Sequence, residues 1–298
     1  MKRFFVFMFI VKSLVWASSI YAEKLKVVAA YPYIASVTEQ ITGGTADVQF
    51  LANGKWDPHF VVPKPSYISQ LRDADLLIIN GAELEVGWMP PLVSQANNSK
   101  LSGNGTLDLS RFVKLQEIPQ TLSRASGDVH PDGNPHYILN PENIIPIAHA
   151  IFTRLSELDP DHAMTYKGNF EIFQKKWREK LKIWNDQMKK LKDISVIEYH
   201  GLYHYFLGKY GIKVEGTLER LPGIPPTPKH LVSLEKIIAD KNVKLILQDV
   251  YHSPDSAQML AKKTNIRMVL VPHDVGAVNE AKDIFLLYDE IVRRMTND

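Results

Sequence analysis

At 298 residues, 45% hydrophobic and 23% charged with no cysteine, the chain has the length for one or two domains held by their own cores, and a disulfide scaffold is excluded. Its formal charge of +2 is close to balance and offers no electrostatic case for nucleic acid.

The first residues read as an export leader. Lys2 and Arg3 are basic, residues 4–15 are apolar apart from Lys12 and Ser13, and small and polar residues lead to Ala22. This is the pattern of a signal peptide cut after Ala22, and the apolar run is too short and too interrupted to span a bilayer comfortably. Loss of Lys2, Arg3 and Lys12 takes the formal charge from +2 to −1. Without cysteine there is no thiol for a lipid, so the mature protein is expected free in a Gram-negative type of periplasm.

Residues 24–30 (KLKVVAA) read as a strand, followed by a Tyr/Pro turn and a helical pattern through Ile41 that Gly43 and Gly44 close. Residues 48–52 (VQFLA) and 74–80 (ADLLIIN) are further strands, the latter apolar enough to be covered on both faces. The same grammar returns at 194–199 (ISVIEY), 243–248 (VKLILQ) and 267–271 (RMVLV), with helical patterns reaching Tyr210, spanning about 257–263, and ending near Arg294. Between the halves, Tyr166, Phe170, Phe173, Trp177, Leu181, Trp184, Met188 and Leu191 recur at steps of three and four, one apolar stripe on a helix of about 50 Å. Its aromatics are bulky for a dimeric coiled coil and suit a groove between two lobes, so a monomer is expected. The predicted class is α/β: two lobes, each a parallel β-sheet flanked by helices, linked by one long helix. The boundaries are 1–22 for the leader, 23–158 for the first lobe, 159–191 for the linking helix and 192–298 for the second lobe.

Histidines mark the strand ends. His59 follows the second strand in GKWDPHFVVPKPS, beside Asp57; His200 ends ISVIEY; His273 follows RMVLVP, with Asp274 next. Ligands of open α/β sheets bind outside the carboxyl ends of strands. Residues 127–141 (GDVHPDGNPHYILNP) form a Gly/Pro/Asx loop that carries His130 and His136. His149, His162 and His230 read as helix or turn residues without a role, and His252 as a weaker candidate. HGLYH places His204 four residues after His200, but Gly201 stands where a zinc peptidase has its Glu base. No G-x-S-x-G elbow or phosphate-binding glycine loop is present, and no enzyme activity is expected.

The segments DPHFVVPKPS (57–66), NGAELEVGWMPPL (80–92), GDVHPDGNPHYILNP (127–141) and YHGLYHYFLGKYGI (199–212) resemble those of the zinc- and manganese-binding receptors of ABC importers. The resemblance runs from Lys24 to the C-terminus and is looser after about Leu221. It implies a metal in the interlobe cleft held by His59, His136 and His200. It implies a fourth ligand at His273 or Asp274, which are alternatives because the family's usual Asp falls on His273; Asp249 is a third option. Three imidazoles suit tetrahedral Zn²⁺, whereas Mn²⁺ favours more oxygen ligands, so zinc is expected ahead of manganese as the transported ion. The implied partners are a membrane permease with its ATPase, with a small periplasmic zinc chaperone as an additional candidate. His130 is the loop candidate for capture or transfer of metal. The competing readings are a manganese receptor, an exported zinc chaperone or adhesin, and an exported zinc hydrolase using Glu198 or Asp249 as base.

Overall fold

The computed structural model describes residues 23–119, 130–221 and 223–297. The leader and residues 127–129 of the Gly/Pro/Asx loop lie outside them.

Strands β1 (Lys26–Ala29), β2 (Asp47–Phe50), β3 (Leu76–Ile79) and β4 (Thr106–Asp108) form a parallel sheet in the order β2-β1-β3-β4. Strands β5 (Ser195–Glu198), β6 (Lys213–Thr217), β7 (Val243–Gln248) and β8 (Arg267–Leu270) repeat it as β6-β5-β7-β8, again all parallel. The central strands are the apolar runs visible in the sequence. The outer strands β4 and β6 are the ones the sequence reading misses: TLD is three residues long, and KVEGT, an outer strand that is only partly buried, carries charges and a glycine.

Parallel strands need crossovers, and the helices supply them. Helix α1 (Pro32–Thr42) starts on a proline and stops at Gly43, whose φ of 57° is the left-handed stop that glycine adopts without steric cost. In the first half α2 (Pro65–Asp73), α3 (Met89–Ala96) and α4 (Ile144–Leu158) follow. The predicted linking helix is present as α5 (Ala163–Met188), flanked by single 3₁₀ turns at Pro160–His162 and Lys189–Leu191. Asp159, at the N-cap position of the first of these turns, makes no side-chain cap bond. Its carboxylate takes the His162 ring and the Tyr166 hydroxyl instead. Beyond α5 come α6 (His204–Lys209), α7 (Pro228–Asp240), α8 (Asp255–Thr264) and α9 (Ile284–Thr296).

The aromatic stripe of α5 is buried as its period requires: Tyr166, Phe170, Phe173, Trp177, Trp184 and Met188 all face inward. Trp177 and Trp184 meet Phe285 and Tyr288 of α9, with ring centroids 5.1–5.2 Å apart. Their polar edges are satisfied, Trp177 Nε1 donating to the Pro141 carbonyl and Trp184 Nε1 to Asp289, both at 2.8 Å. The last helix also reaches the first lobe, where the Ile284 amide donates to Ser36 Oγ of α1. One apolar cluster therefore runs from Val27 to Met295 through both halves, with a smaller cluster under β7, α7 and α8. Across the cleft, a Cβ on Gly54 would sit 2.1 Å from the Val275 carbonyl oxygen, so only glycine allows the two loops to approach this closely.

Candidate metal centre

Segments leaving the carboxyl ends of strands in both sheets converge on the cleft. His59 lies beyond β2, His136 beyond β4 and His200 just beyond β5. Their ring centroids are 5.1, 5.4 and 5.6 Å apart and each pair of planes is nearly perpendicular. One nitrogen from each ring lies within 4.8 Å of the others, the only such group of three or more His, Asp or Glu among the described residues. Three edge-on imidazoles pointing at a common centre are arranged to share one cation.

Each ring is oriented from behind. His59 Nδ1 donates to Asp57 at 2.8 Å, and the same carboxylate oxygen accepts the His59 amide. His200 Nδ1 donates to Glu219 at 2.6 Å, whose other oxygen accepts the Gly223 amide. A carboxylate at Nδ1 fixes the tautomer and leaves the Nε2 lone pair facing the centre. His136 is held through its backbone instead. Its amide donates to the Asn134 side chain, and its neighbour Tyr137 donates to the Asn80 carbonyl. Asn80 stands at the head of a tight left-handed turn, Gly81 to Glu83, and the buried Glu85 accepts the amides of Asn80 and Gly81. This is what the NGAELE motif builds.

His136 is 6% exposed and its Nε2 has no hydrogen-bond partner. Burial, with the neighbouring His59, His200, His130 and His273, holds its pKa well below the usual histidine range. It is thus a neutral ring with an unused lone pair, a costly arrangement in a core unless the lone pair serves something.

The two candidates for a fourth position differ. His273 is buried, its Nδ1 is unpartnered, and burial pushes its pKa down to about 4. Asp274 is equally buried, but its Oδ1 accepts the amides of Tyr33 at 2.8 Å and Val275 at 2.6 Å, and burial raises its pKa to about 8. Neither belongs to the three-histidine group. Asp249, the third option, accepts the amides of Tyr251 and His252 and pairs with the His252 ring. His130 stacks on His59 at 5.2 Å, and the two line a cavity of about 380 Å³ with Phe60, Val62, Val86 and Trp88.

His204 does not join His200 on a helix face. Helix α6 begins at His204, so His200 sits in the preceding turn and the i, i+4 geometry is lost. Sequence reading missed Glu219; its partner is 19 residues away, and the only local hint was an acidic residue soon after the outer strand. Glu219→Gln is expected to weaken metal binding roughly tenfold by freeing the His200 ring. Chelator competition checks this, and unchanged affinity would show that Glu219 has no hold on the ligand.

The family model described as zinc-uptake complex component A, periplasmic, matches residues 27–297. The chain is 31% identical over 255 residues to the metal ABC transporter substrate-binding lipoprotein SsaB of Streptococcus sanguinis, covering 82% of this chain and 78% of that protein. It is 25% identical to the high-affinity zinc uptake system protein ZnuA of Bacillus subtilis, covering 91% and 85%. Against the zinc-binding lipoprotein AdcA of Streptococcus pneumoniae it is 22% identical, and it spans about half that relative's length (49%). In fold it is similar to a crystal structure of ZnuA, with a TM-score of 0.77 at 20% identity, over 91% of this chain and 99% of that one.

Proposed function

Since the chain belongs to the zinc-uptake complex component A family, we propose that it is a periplasmic receptor that captures Zn²⁺ and delivers it to an ABC importer. The observation that carries this reading is the convergence of His59, His136 and His200 with their lone pairs on one point in the cleft. Neutral imidazole is zinc's preferred nitrogen ligand, and among the described residues no carboxylate joins the three-histidine group as a manganese site would favour. His273, with its unpartnered Nδ1, is assigned the fourth position ahead of Asp274, whose Oδ1 is already committed to two amides. Water can complete the shell.

No covalent chemistry is assigned. The buried Glu198, the residue a hydrolase would use as base, is engaged with His204 and the Tyr203 amide. The partners are a permease with its ATPase, and the receptor acts as a monomer with lobes at 23–158 and 192–298 joined by the helix at 159–191. No described helix is long and apolar enough to cross a membrane. A free state after loss of the leader is supported by the absence of cysteine.

The test is metal analysis of the purified mature protein together with zinc uptake in cells lacking it. Near one zinc per chain and impaired uptake are expected; a chain that selects manganese over zinc would overturn the reading. His130, stacked on His59 and lining the same cavity, is proposed to pass the ion inward. His130→Ala should therefore leave equilibrium affinity near wild type and slow stopped-flow capture of zinc. Identical rates would remove it from the path.

A further inference from the structure

His204 has a role that the three-histidine site does not use. Its Nδ1 meets Glu117, which comes from the first half beyond β4, and its Nε2 meets Glu198 at the end of β5. Glu198 is fully buried, and its second oxygen accepts the Tyr203 amide at 3.0 Å. The outer oxygen of Glu117 accepts from Asn134 Nδ2 at 2.8 Å. That same Nδ2 donates to the Gly201 carbonyl at 2.9 Å, while Asn134 Oδ1 accepts the His136 amide. Asn134 thus touches the backbone of His136, the residue next to His200, and the carboxylate that holds His204. Tyr205 reinforces the junction, donating to the Asn134 carbonyl and accepting the Gln116 amide, both at 2.8 Å.

We propose that Glu117, His204 and Glu198, joined through Asn134, form an interlobe clamp that sets the spacing between His136 and His200 and so the affinity of the site for zinc. The proposal rests on the three-histidine reading above. His204 is a positioning residue here: its Nδ1 bonds to Glu117, its Nε2 lies in ion-pair contact with Glu198, and it is not part of the three-histidine group. Burial alone would lower its pKa, but the bonds to Glu117 and Glu198 outweigh this and raise it to about 10. It is therefore a cation between two carboxylates, one of which would otherwise be a buried unpaired charge. Glu117 adopts a φ of 54°, in the left-handed region that non-glycine residues seldom occupy. Such backbone persists where surrounding contacts over-determine it, and the bonds to Asn134 and His204 are those contacts. The short paths from clamp to ligands matter because a loosely held ligand shell loses affinity even when every ligand remains.

The experiment is a double-mutant cycle on the full mature protein, with E117Q, H204Q and the pair, and His200→Ala as control. Zinc affinity is read by chelator competition and the Co²⁺-loaded form by its visible absorption. Each single change is expected to weaken zinc binding roughly tenfold, with the pair no weaker than the worse single variant, and to shift the Co²⁺ bands at saturation. Wild-type affinity and bands in both singles, with zinc lost in His200→Ala, would overturn the clamp and leave the histidine site standing. Additive losses would also overturn it. Wild-type affinity in His200→Ala would remove the site, and the clamp with it. If H204Q does not fold, E117Q decides alone, because Glu117 is half-exposed and its loss leaves Glu198 paired.

Discussion

Replacing His59, His136 or His200 with alanine is expected to weaken zinc binding by roughly 10²–10³-fold in each case. Complete zinc sites in small folded peptides are worth on the order of 10–16 kcal/mol, so one of about four ligands carries some 3–4 kcal/mol. The three rings approach one centre from three separate segments, and no described His, Asp or Glu duplicates any of them within ligand distance. A lost ring can therefore be replaced only by water. His136 makes the sharpest case, because its buried Nε2 has no other partner. Metal content after gel filtration and competition with a chromophoric chelator give the answer. Full zinc occupancy in all three variants would dismantle the site.

Asp274→Asn is expected to raise the stability of the metal-free protein at neutral pH while leaving zinc affinity near wild type. Burial raises the Asp274 pKa from 3.8 to about 8, so the folded state keeps a proton that the unfolded chain has released. A raised pKa means stability that is complete below about pH 4 and is lost progressively as pH climbs to about 8. Between pH 4 and pH 7 this loss is on the order of 4 kcal/mol. Asparagine keeps an oxygen for the Tyr33 and Val275 amides and has no charge to bury. Urea unfolding of the two proteins at pH 5 and pH 7.5 should show the variant gaining most at the higher pH. Parallel pH dependences would remove Asp274 as the source. A 100-fold loss of zinc affinity would instead move Asp274 into the ligand set in place of His273.

The inner strands were legible because β1, β3, β5 and β7 are covered on both faces and need continuous apolar runs. Strands β4 and β6 were not, since an outer strand can be short or charged and still pair. The linking helix was legible from its aromatic period alone. His59 and His200 stood out because a strand's carboxyl end is where such folds present ligands, whereas His136 lay in a loop and was singled out through the family resemblance of GDVHPDGNPHYILNP. What orients them did not. Glu219 reaches His200 only through tertiary folding, and the HGLYH spacing promised a shared helix face that the start of α6 at His204 denies. Adjacent residues such as His273 and Asp274 cannot be ranked from sequence either: what commits Asp274 is an amide 241 residues away, at Tyr33.

The apolar cluster that passes from α1 through α5 to α9 has a thermodynamic consequence. With Trp177 and Trp184 locked between Phe285 and Tyr288, swinging the halves apart would strip an aromatic seam from a packed interior. When the competent conformation is nearly the whole population, measured affinity equals intrinsic affinity, with no fraction lost to an open state. Such a receptor is expected to bind at a rate set by the shedding of water from the ion, and to show little change in dimensions between empty and loaded forms. Under the proposed delivery to an importer, full and empty forms would then differ for the partner only in the side chains around the metal site.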